Sequence, residues 1–164
     1  MGTEIERKFV VGGNSWRTDA VKATSLRQGY LAEGEDVIVR VRTDGARAWL
    51  TLKGAAQGIV RPEFEYAIPE EDAADLLQLC GTRIISKTRH QVAVGRHLWE
   101  VDVFHGLNAG LVLAELELES PEEGFDRPRW LGPEVTGDPR YYNSCLAVTP
   151  FARWAPPDAT ATTI

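Results

Sequence analysis

The sequence predicts an α+β fold: an antiparallel sheet or barrel of about eight strands, with a few helices packed on its outside. Three observations carry that expectation. Segments of period-2 hydrophobic alternation recur along most of the chain, separated by turn residues. Helix start and stop signals are confined to a few short segments. The charged residues of the strands fall in same-sign blocks on single faces, which a half-solvated sheet does not explain.

The first strand is expected over Ile5 to Val11, ended by Gly12-Gly13-Asn14. Strands follow over Gln28 to Leu31, Val37 to Arg42, Ala48 to Leu52 and Glu63 to Ile68. Asp44-Gly45, between the Val37 and Ala48 strands, is a hairpin signal. A helix is expected over Pro69 to Gly81, with proline and acids at its start and glycine at its stop. Leu76, Leu77 and Cys80 give it one apolar face. Three more strands are expected over Lys87 to Val94, Leu98 to Phe104 and Leu111 to Glu119. Pro121 to Asp126 makes at most one helical turn. Asp138 caps a last helix with Pro139 at its first position, running to about Ala147. One domain is expected over residues 1–153, with 154–164 a flexible tail rich in Ala, Pro and Thr.

Composition removes several functional classes. The 164 residues carry 18 Lys+Arg against 24 Asp+Glu, a net charge of −6. A globally basic nucleic-acid surface is disfavoured. No uncharged apolar stretch reaches the ~18–20 residues of a membrane span. The N-terminus carries an acid at Glu4 and no apolar signal-peptide core, and Glu6 stands where a myristoylation motif needs Ser or Thr. Cys80 and Cys145 have no metal-type spacing and sit in apolar company, which reads as packed thiols in a reducing compartment. The expectation is a cytoplasmic protein acting on a small molecule, without nucleic acid or membrane as partner, as a monomer or homodimer.

Which charges alternate matters more than their sum. Side chains two apart on a strand share a face. Glu4, Glu6 and Lys8 share one, as do Arg40 and Arg42, Glu63 and Glu65, Lys87 and Arg89, Glu100 and Asp102, and Glu115, Glu117 and Glu119. Like charges side by side on a strand repel. A barrel with a charged interior, its apolar faces turned outward under the helices, accounts for these blocks. Such a lumen is costly unless it binds something. Carboxylates suit hard divalent cations, and bases suit phosphate oxygens. A chamber holding both suits a metal–polyphosphate complex.

Glu4-Ile-Glu-Arg-Lys8 resembles the N-terminal Glu-x-Glu-x-Lys signature of the CYTH superfamily, the triphosphate tunnel metalloenzymes. Further landmarks follow in order: Arg27-Gln-Gly-Tyr-Leu31, Arg40-Val-Arg42, Thr51-Leu-Lys53, Glu63-Phe-Glu65, Lys87-Thr-Arg89, Glu100-Val-Asp102 and Glu115 to Glu119. The chain is similar to the short, single-domain bacterial members. The resemblance implies an eight-stranded antiparallel β-barrel forming a tunnel for a linear triphosphate with Mg2+ or Mn2+. It implies Glu4, Glu6, Glu115 and Glu117 as metal ligands, with Asp102 and Glu119 adding to the metal shell or holding waters. It implies Lys8, Arg40, Arg42, Lys53, Lys87 and Arg89 as phosphate-binding bases. Glu6, Lys87 and Glu117 are the expected catalytic residues. Glu63 and Glu65 are supporting residues that orient the bases or a second metal's waters, and Tyr30 is one that marks the tunnel mouth.

The activity so implied is metal-dependent hydrolysis of inorganic triphosphate to pyrophosphate and phosphate. One alternative keeps the tunnel but takes an organic triphosphate, as a thiamine or nucleoside triphosphatase or a cyclase making cyclic AMP. A tryptophan would then stack the organic group; the five, Trp16, Trp49, Trp99, Trp130 and Trp154, read first as packing residues. Another alternative is a polyphosphate-binding module without turnover. His90, His97 and His105 fit no ligand spacing.

Overall fold

Alternation along the strands sets which face each residue takes, and pairing between strands then assembles the sheet. The computed structural model describes residues 2–154. Strands β1 (Glu4–Val11), β2 (Ala20–Glu33), β3 (Val37–Thr43) and β4 (Ala48–Gly54) are followed by the two-residue β5 (Val60–Arg61) and by β6 (Glu63–Ile68). Helix α1 (Glu70–Leu79) precedes β7 (Ile84–Val94), β8 (His97–Phe104), β9 (Val112–Glu117), the short β10 (Leu131–Glu134) and helix α2 (Asn143–Val148).

The long strands run β6-β4-β3-β2-β7-β8-β9-β1, every pair antiparallel. These are the eight strands anticipated from sequence. The other edge of β1 is shared. β5 covers its start through Glu4↔Arg61 and Ile5↔Val60, and β10 takes its end through Phe9↔Glu134 and Val11↔Leu131. Because β5 runs through Pro62 into β6, the two ends of the sheet meet. Gly2 N–H donates to Glu63 O at 2.9 Å, and Glu63 N–H returns to Gly2 O at 3.4 Å. The sheet therefore curls into a tunnel whose seam is short, not a full ladder of hydrogen bonds.

The apolar faces point outward and are covered there. Phe9, Trp99, Val101, Ala114 and Leu116 form one buried cluster under Trp16 and Trp130. Trp16 comes from a single 3-10 turn, Ser15–Asp19. On the opposite wall α1 lays Ala73, Leu77 and Cys80 on Val41 and Ala48. Each fully buried Leu or Val contributes roughly 1.5–3 kcal/mol of transfer free energy. A third cluster differs. Ile85, Phe104 and Leu113 share the inward faces of the charged residues, and Leu146 of α2 packs on them. It plugs one end of the tunnel.

Several elements differ from the sequence expectation. β2 begins at Ala20, well before Gln28; its first half alternates poorly but pairs with β7 from Ala20↔Val92 to Gly29↔Ile84. β5 and β10 are too short for a periodic signal, and Gly132 and Pro133 in β10 suit only an edge position. β9 stops at Glu117. The last helix is broken: Asp138 caps a 3-10 turn through Arg140 N at 3.1 Å, and extended Tyr142 (ψ 135°) separates it from α2. The Asp44-Gly45 hairpin forms, with Gly45 at φ +87° and Asp44 Oδ1 accepting from Arg47 N at 2.8 Å. Among the described residues no helix is long and apolar enough to cross a membrane. The tail expected over 154–164 lies outside the described residues except for Trp154, which packs edge-on against Tyr141 and Phe151.

Candidate functional site

The inward faces enclose a cavity of about 420 Å³. β1 supplies Glu4, Glu6 and Lys8 to its wall; β3 supplies Arg40 and Arg42, and β4 supplies Lys53. β6 adds Glu63 and Glu65, β7 adds Lys87 and Arg89, and β9 adds Glu115 and Glu117. All six anticipated bases and six of the anticipated acids therefore meet at one cavity.

Acids and bases interleave across the strands. Lys53 Nζ lies 2.8 Å from Glu4 and 2.6 Å from Glu63. Lys8 Nζ contacts Glu115 at 2.9 Å and Glu6 at 3.7 Å. Arg89 binds Asp102 and Glu115, each at 2.7 Å, and pairs with Glu100. Lys87 Nζ donates to Asp102 Oδ2 at 2.6 Å and to Asn143 Oδ1 at 3.1 Å. Arg40 and Arg42 both reach Glu65 at 3.3 Å, and Thr51 Oγ1 donates to the same carboxylate at 2.8 Å. In this sense Glu63 and Glu65 hold bases in place.

Two anticipated acids take other positions. Asp102 is fully buried behind Lys87 and Arg89 and does not line the cavity. Glu119 lies past the end of β9, is exposed, and gives its backbone N–H to Glu123. Tyr30 is buried in the wall, its hydroxyl accepting from Gln28 Nε2 at 2.8 Å. Burial pushes that phenol up to about 12.

The electrostatics separate carboxylates that look alike in sequence. Burial would raise Glu4, but Lys53 and Arg61 outweigh it and bring the carboxyl down to about 2. Glu6 goes the other way: burial, with the charge of Glu115, pushes it up to about 7. Burial and then Glu4 and Glu63 raise Glu117 as well. Glu115 is held well below the ordinary range because Lys8 and Arg89 overcome its burial. Burial, opposed by Asp102, brings Lys87 down to about 8.

Among the described residues no three His, Cys, Asp or Glu side chains gather as a metal cluster. The bases stand between them. Glu6 and Glu117 are nonetheless direct cross-strand partners, and among the described residues no side-chain base forms an ion pair with Glu117. That all-oxygen pair suits a hard cation, since Mg2+ commonly takes one or two carboxylates and completes its shell with water and phosphate oxygens.

Arg61, Glu100 and Asn143 are polar wall residues that were missing from the anticipated site. Arg61 sits on β5 with its Nε 2.9 Å from Glu4. It shares the alternation of Glu63 and Glu65, so the signal was present two residues upstream. Glu100 shares the face of Asp102 and was legible in the same way. Asn143 enters from the start of α2, where no strand pattern points to it. The histidines stand elsewhere: His97 on Glu123, His105 on Thr88, and His90 edge-on to Trp16.

A curled antiparallel sheet that turns carboxylates and bases onto one cavity defines a charged-tunnel fold. The CYTH domain model matches residues 2–142, and the chain belongs to the CYTH family. An inorganic triphosphatase of Acetivibrio thermocellus is 45% identical over 152 residues, covering 92% of this chain and 97% of that one. An inorganic triphosphatase of Nitrosomonas europaea is 38% identical over 151 residues, covering 90% and 98%. The crystal structure of the inorganic triphosphatase NE1496 superimposes with a TM-score of 0.65 at 37% identity, over 90% of this chain and 96% of that one.

Proposed function

We propose that the tunnel hydrolyses inorganic triphosphate to pyrophosphate and orthophosphate, assisted by Mg2+ or Mn2+. The observation that carries this reading is the convergence of the six anticipated bases, with Arg61 and seven carboxylates, on one cavity of about 420 Å³. The two relatives named inorganic triphosphatases, at 45% and 38% identity over nearly the full chain, support it.

Each base now holds a carboxylate, and phosphate oxygens are better partners for a cationic fork or ammonium lodged in a tunnel. Lys8, Arg40, Arg42, Lys53, Lys87 and Arg89 exchange some of those contacts for phosphate oxygens when the chain enters. Glu6 and Glu117 would hold the divalent cation, with Glu4 and Glu115 beside them. Bound there, it would polarise a phosphoryl oxygen and screen carboxylate from phosphate. Asp102, a secondary member of the metal set by sequence, orients Lys87 and Arg89 instead. Lys87 Nζ, anchored between Asp102 and Asn143, faces the charge that builds on the leaving oxygen. Its lowered pKa lets it pass a proton there near neutral pH.

The organic-substrate reading finds little to stack on. Trp16, Trp99 and Trp130 are buried in the outer core. Trp49 has the Arg42 and Arg47 guanidiniums each 5.3 Å from its ring. Both cysteines are free thiols, in keeping with a cytoplasmic setting.

A panel of tripolyphosphate, ATP and thiamine triphosphate tests the proposal, each with Mg2+, with Mn2+ and with EDTA. Phosphate release should require metal and strongly favour tripolyphosphate. Equal turnover of ATP, or release that survives EDTA, overturns it. Tight tripolyphosphate binding without release would make the protein a binding module.

A further inference from the structure

One edge of the sheet is unpaired over most of its length. β6 ends the strand order, and β4 is the strand paired with it. Backbone groups of successive residues point to alternate sides of a strand. Gly54 N–H donates to Pro62 O at 2.9 Å, so the even positions from Pro62 onward face β4, while Glu63 turns its N–H and C=O to Gly2. Glu65 and Ala67 follow Glu63 in facing away from β4. Among the described residues their N–H and C=O groups have no backbone partner. Phe64 to Ala67 are all exposed. Open edges of this kind are commonly blunted by lysine, proline or a bulge. From Phe64 to Ile68 there is none of these, and the register against β4 is unbroken.

The outer face next to that edge is apolar. Val39, Leu52 and Phe64 lie side by side across β3, β4 and β6, and Leu50 and Tyr66 stand together in the next row. Phe64 is 45% exposed and Tyr66 58%. α1 covers Val41 and Ala48 further along, and these five residues belong to none of the three buried clusters. Exposed aromatic rings beside free backbone groups suit the addition of another strand. The β6 sequence fits a second copy of itself. In an antiparallel pair with Tyr66 on the two-fold axis, Glu65 lies opposite Ala67 of the second copy, and Phe64 opposite its Ile68. Each Glu65 and Ala67 then exchange both hydrogen bonds, four in all. Tyr66 meets its own copy on the apolar face, an aromatic cross-strand pair. Glu65 keeps its hold on Arg40 and Arg42, since it faces an alanine and not a carboxylate. Moving the axis to Glu65 would set the two Glu65 side chains opposite each other, and like charges directly opposite destabilise a pair. Moving it to Ala67 would bring Pro69, which has no N–H, against Glu65.

We propose that the chain forms an isologous dimer through this edge, β6 pairing with β6 of a second copy about Tyr66. The proposal goes beyond the chemistry of the tunnel and does not depend on it. Sedimentation of the full chain across about a hundredfold range of concentration tests it. The parent should approach twice the mass of the chain at the high end and dissociate on dilution. Ala67→Pro removes, by symmetry, two of the four interchain N–H groups and leaves the bonds to β4 intact. Tyr66→Lys sets two ammonium groups across the axis. Each should weaken dimerisation at least about tenfold without changing the circular dichroism spectrum. The register has its own readout. Directly opposite residues that share no hydrogen bond have Cα atoms about 4.5 Å apart, within reach of a disulfide. Tyr66→Cys should therefore oxidise to a covalent dimer, and Leu79→Cys, exposed on α1, should not. A parent that stays monomeric throughout overturns the proposal and leaves the edge to some other chain. A dimer that survives both Ala67→Pro and Tyr66→Lys overturns it by placing the interface elsewhere. A dimer lost on deleting residues 155–164 would give the contact to an exchanged C-terminal segment and overturn it too.

Discussion

Glu6 and Lys87 show how burial tunes two residues whose sequence context is unremarkable. With Glu6 raised from 4.5 to about 7, folding favours its neutral form. The stability this contributes is complete below about pH 4.5 and is lost as pH climbs through about 7. In metal-free protein, Glu6→Gln should leave the melting temperature nearly unchanged at pH 5 and raise it at pH 8. The gain should be of order 1 kcal/mol, discounted because the Glu6 side chain is 26% exposed to water. Thermal melts at the two pH values check this. The same variant should lose metal affinity by at least about 10–100-fold and most of its turnover. On the proposed mechanism Lys87→Gln removes a buried cation that would face the reacting phosphate, and it should lower kcat by about 10²–10³. The parent rate should also fall above about pH 8 as Lys87 loses its proton, and the residual rate of Lys87→Gln should lack that limb. Most of these side chains were legible because alternation assigns a face residue by residue. Their inequality was not: Glu4 and Glu6 differ by two positions, yet Lys53 and Arg61 reach only the first as close ion-pair partners.

Among the elements, α1 came through from sequence nearly intact, because proline, acids and glycine mark its ends and its apolar stripe needs one partner. Its seat on β2 depends on a glycine. A Cβ at Gly29 would meet Cys80 Sγ at 2.6 Å and Ile84 Cδ1 at 2.7 Å. Gly29→Ala should cost about 1–3 kcal/mol as overpacking. Adding Cys80→Ala should recover part of that, while kcat per folded molecule stays near the parent value; melts and active-site-normalised rates check it. The elements that escaped the sequence are those without a pattern of their own. The first half of β2 is a strand because β7 lies beside it, and β5 and β10 are strands because β1 has two vacant stretches of edge. Tertiary pairing overrides weak propensity in each case. The break at Tyr142 is of the same kind, since it turns Asn143 toward Lys87.

At the scale of the molecule, ion pairs join the tunnel's walls. Its carboxylates and bases neutralise one another across strands, as Lys53 does with Glu4 and Glu63 and Arg89 does with Asp102 and Glu115. EDTA should therefore abolish phosphate release while circular dichroism and the melting temperature change little. Unfolding on chelation would show instead that the ion is structural. The outer core supports this expectation, because Phe9, Trp99 and Leu77 are buried far from the lumen chemistry. The net charge of −6 says little about the site, where bases are concentrated at one cavity.

The sequence by itself determined the faces. A strand's side chains alternate whatever lies beside it, so Glu4, Glu6 and Lys8, or Lys87 and Arg89, could be placed on an inward wall before any neighbour was known. The CYTH landmarks lay on those faces. The tertiary structure alone decided which wall meets which: that Lys53 pairs with Glu4 across 49 positions of chain, that Asp102 is sealed behind two bases, that the seam at β5 is short and that α2 closes one end. Face is a property of local backbone geometry with a period of two. Register, closure and the balance of charge arise from long-range pairing, and no local pattern encodes them.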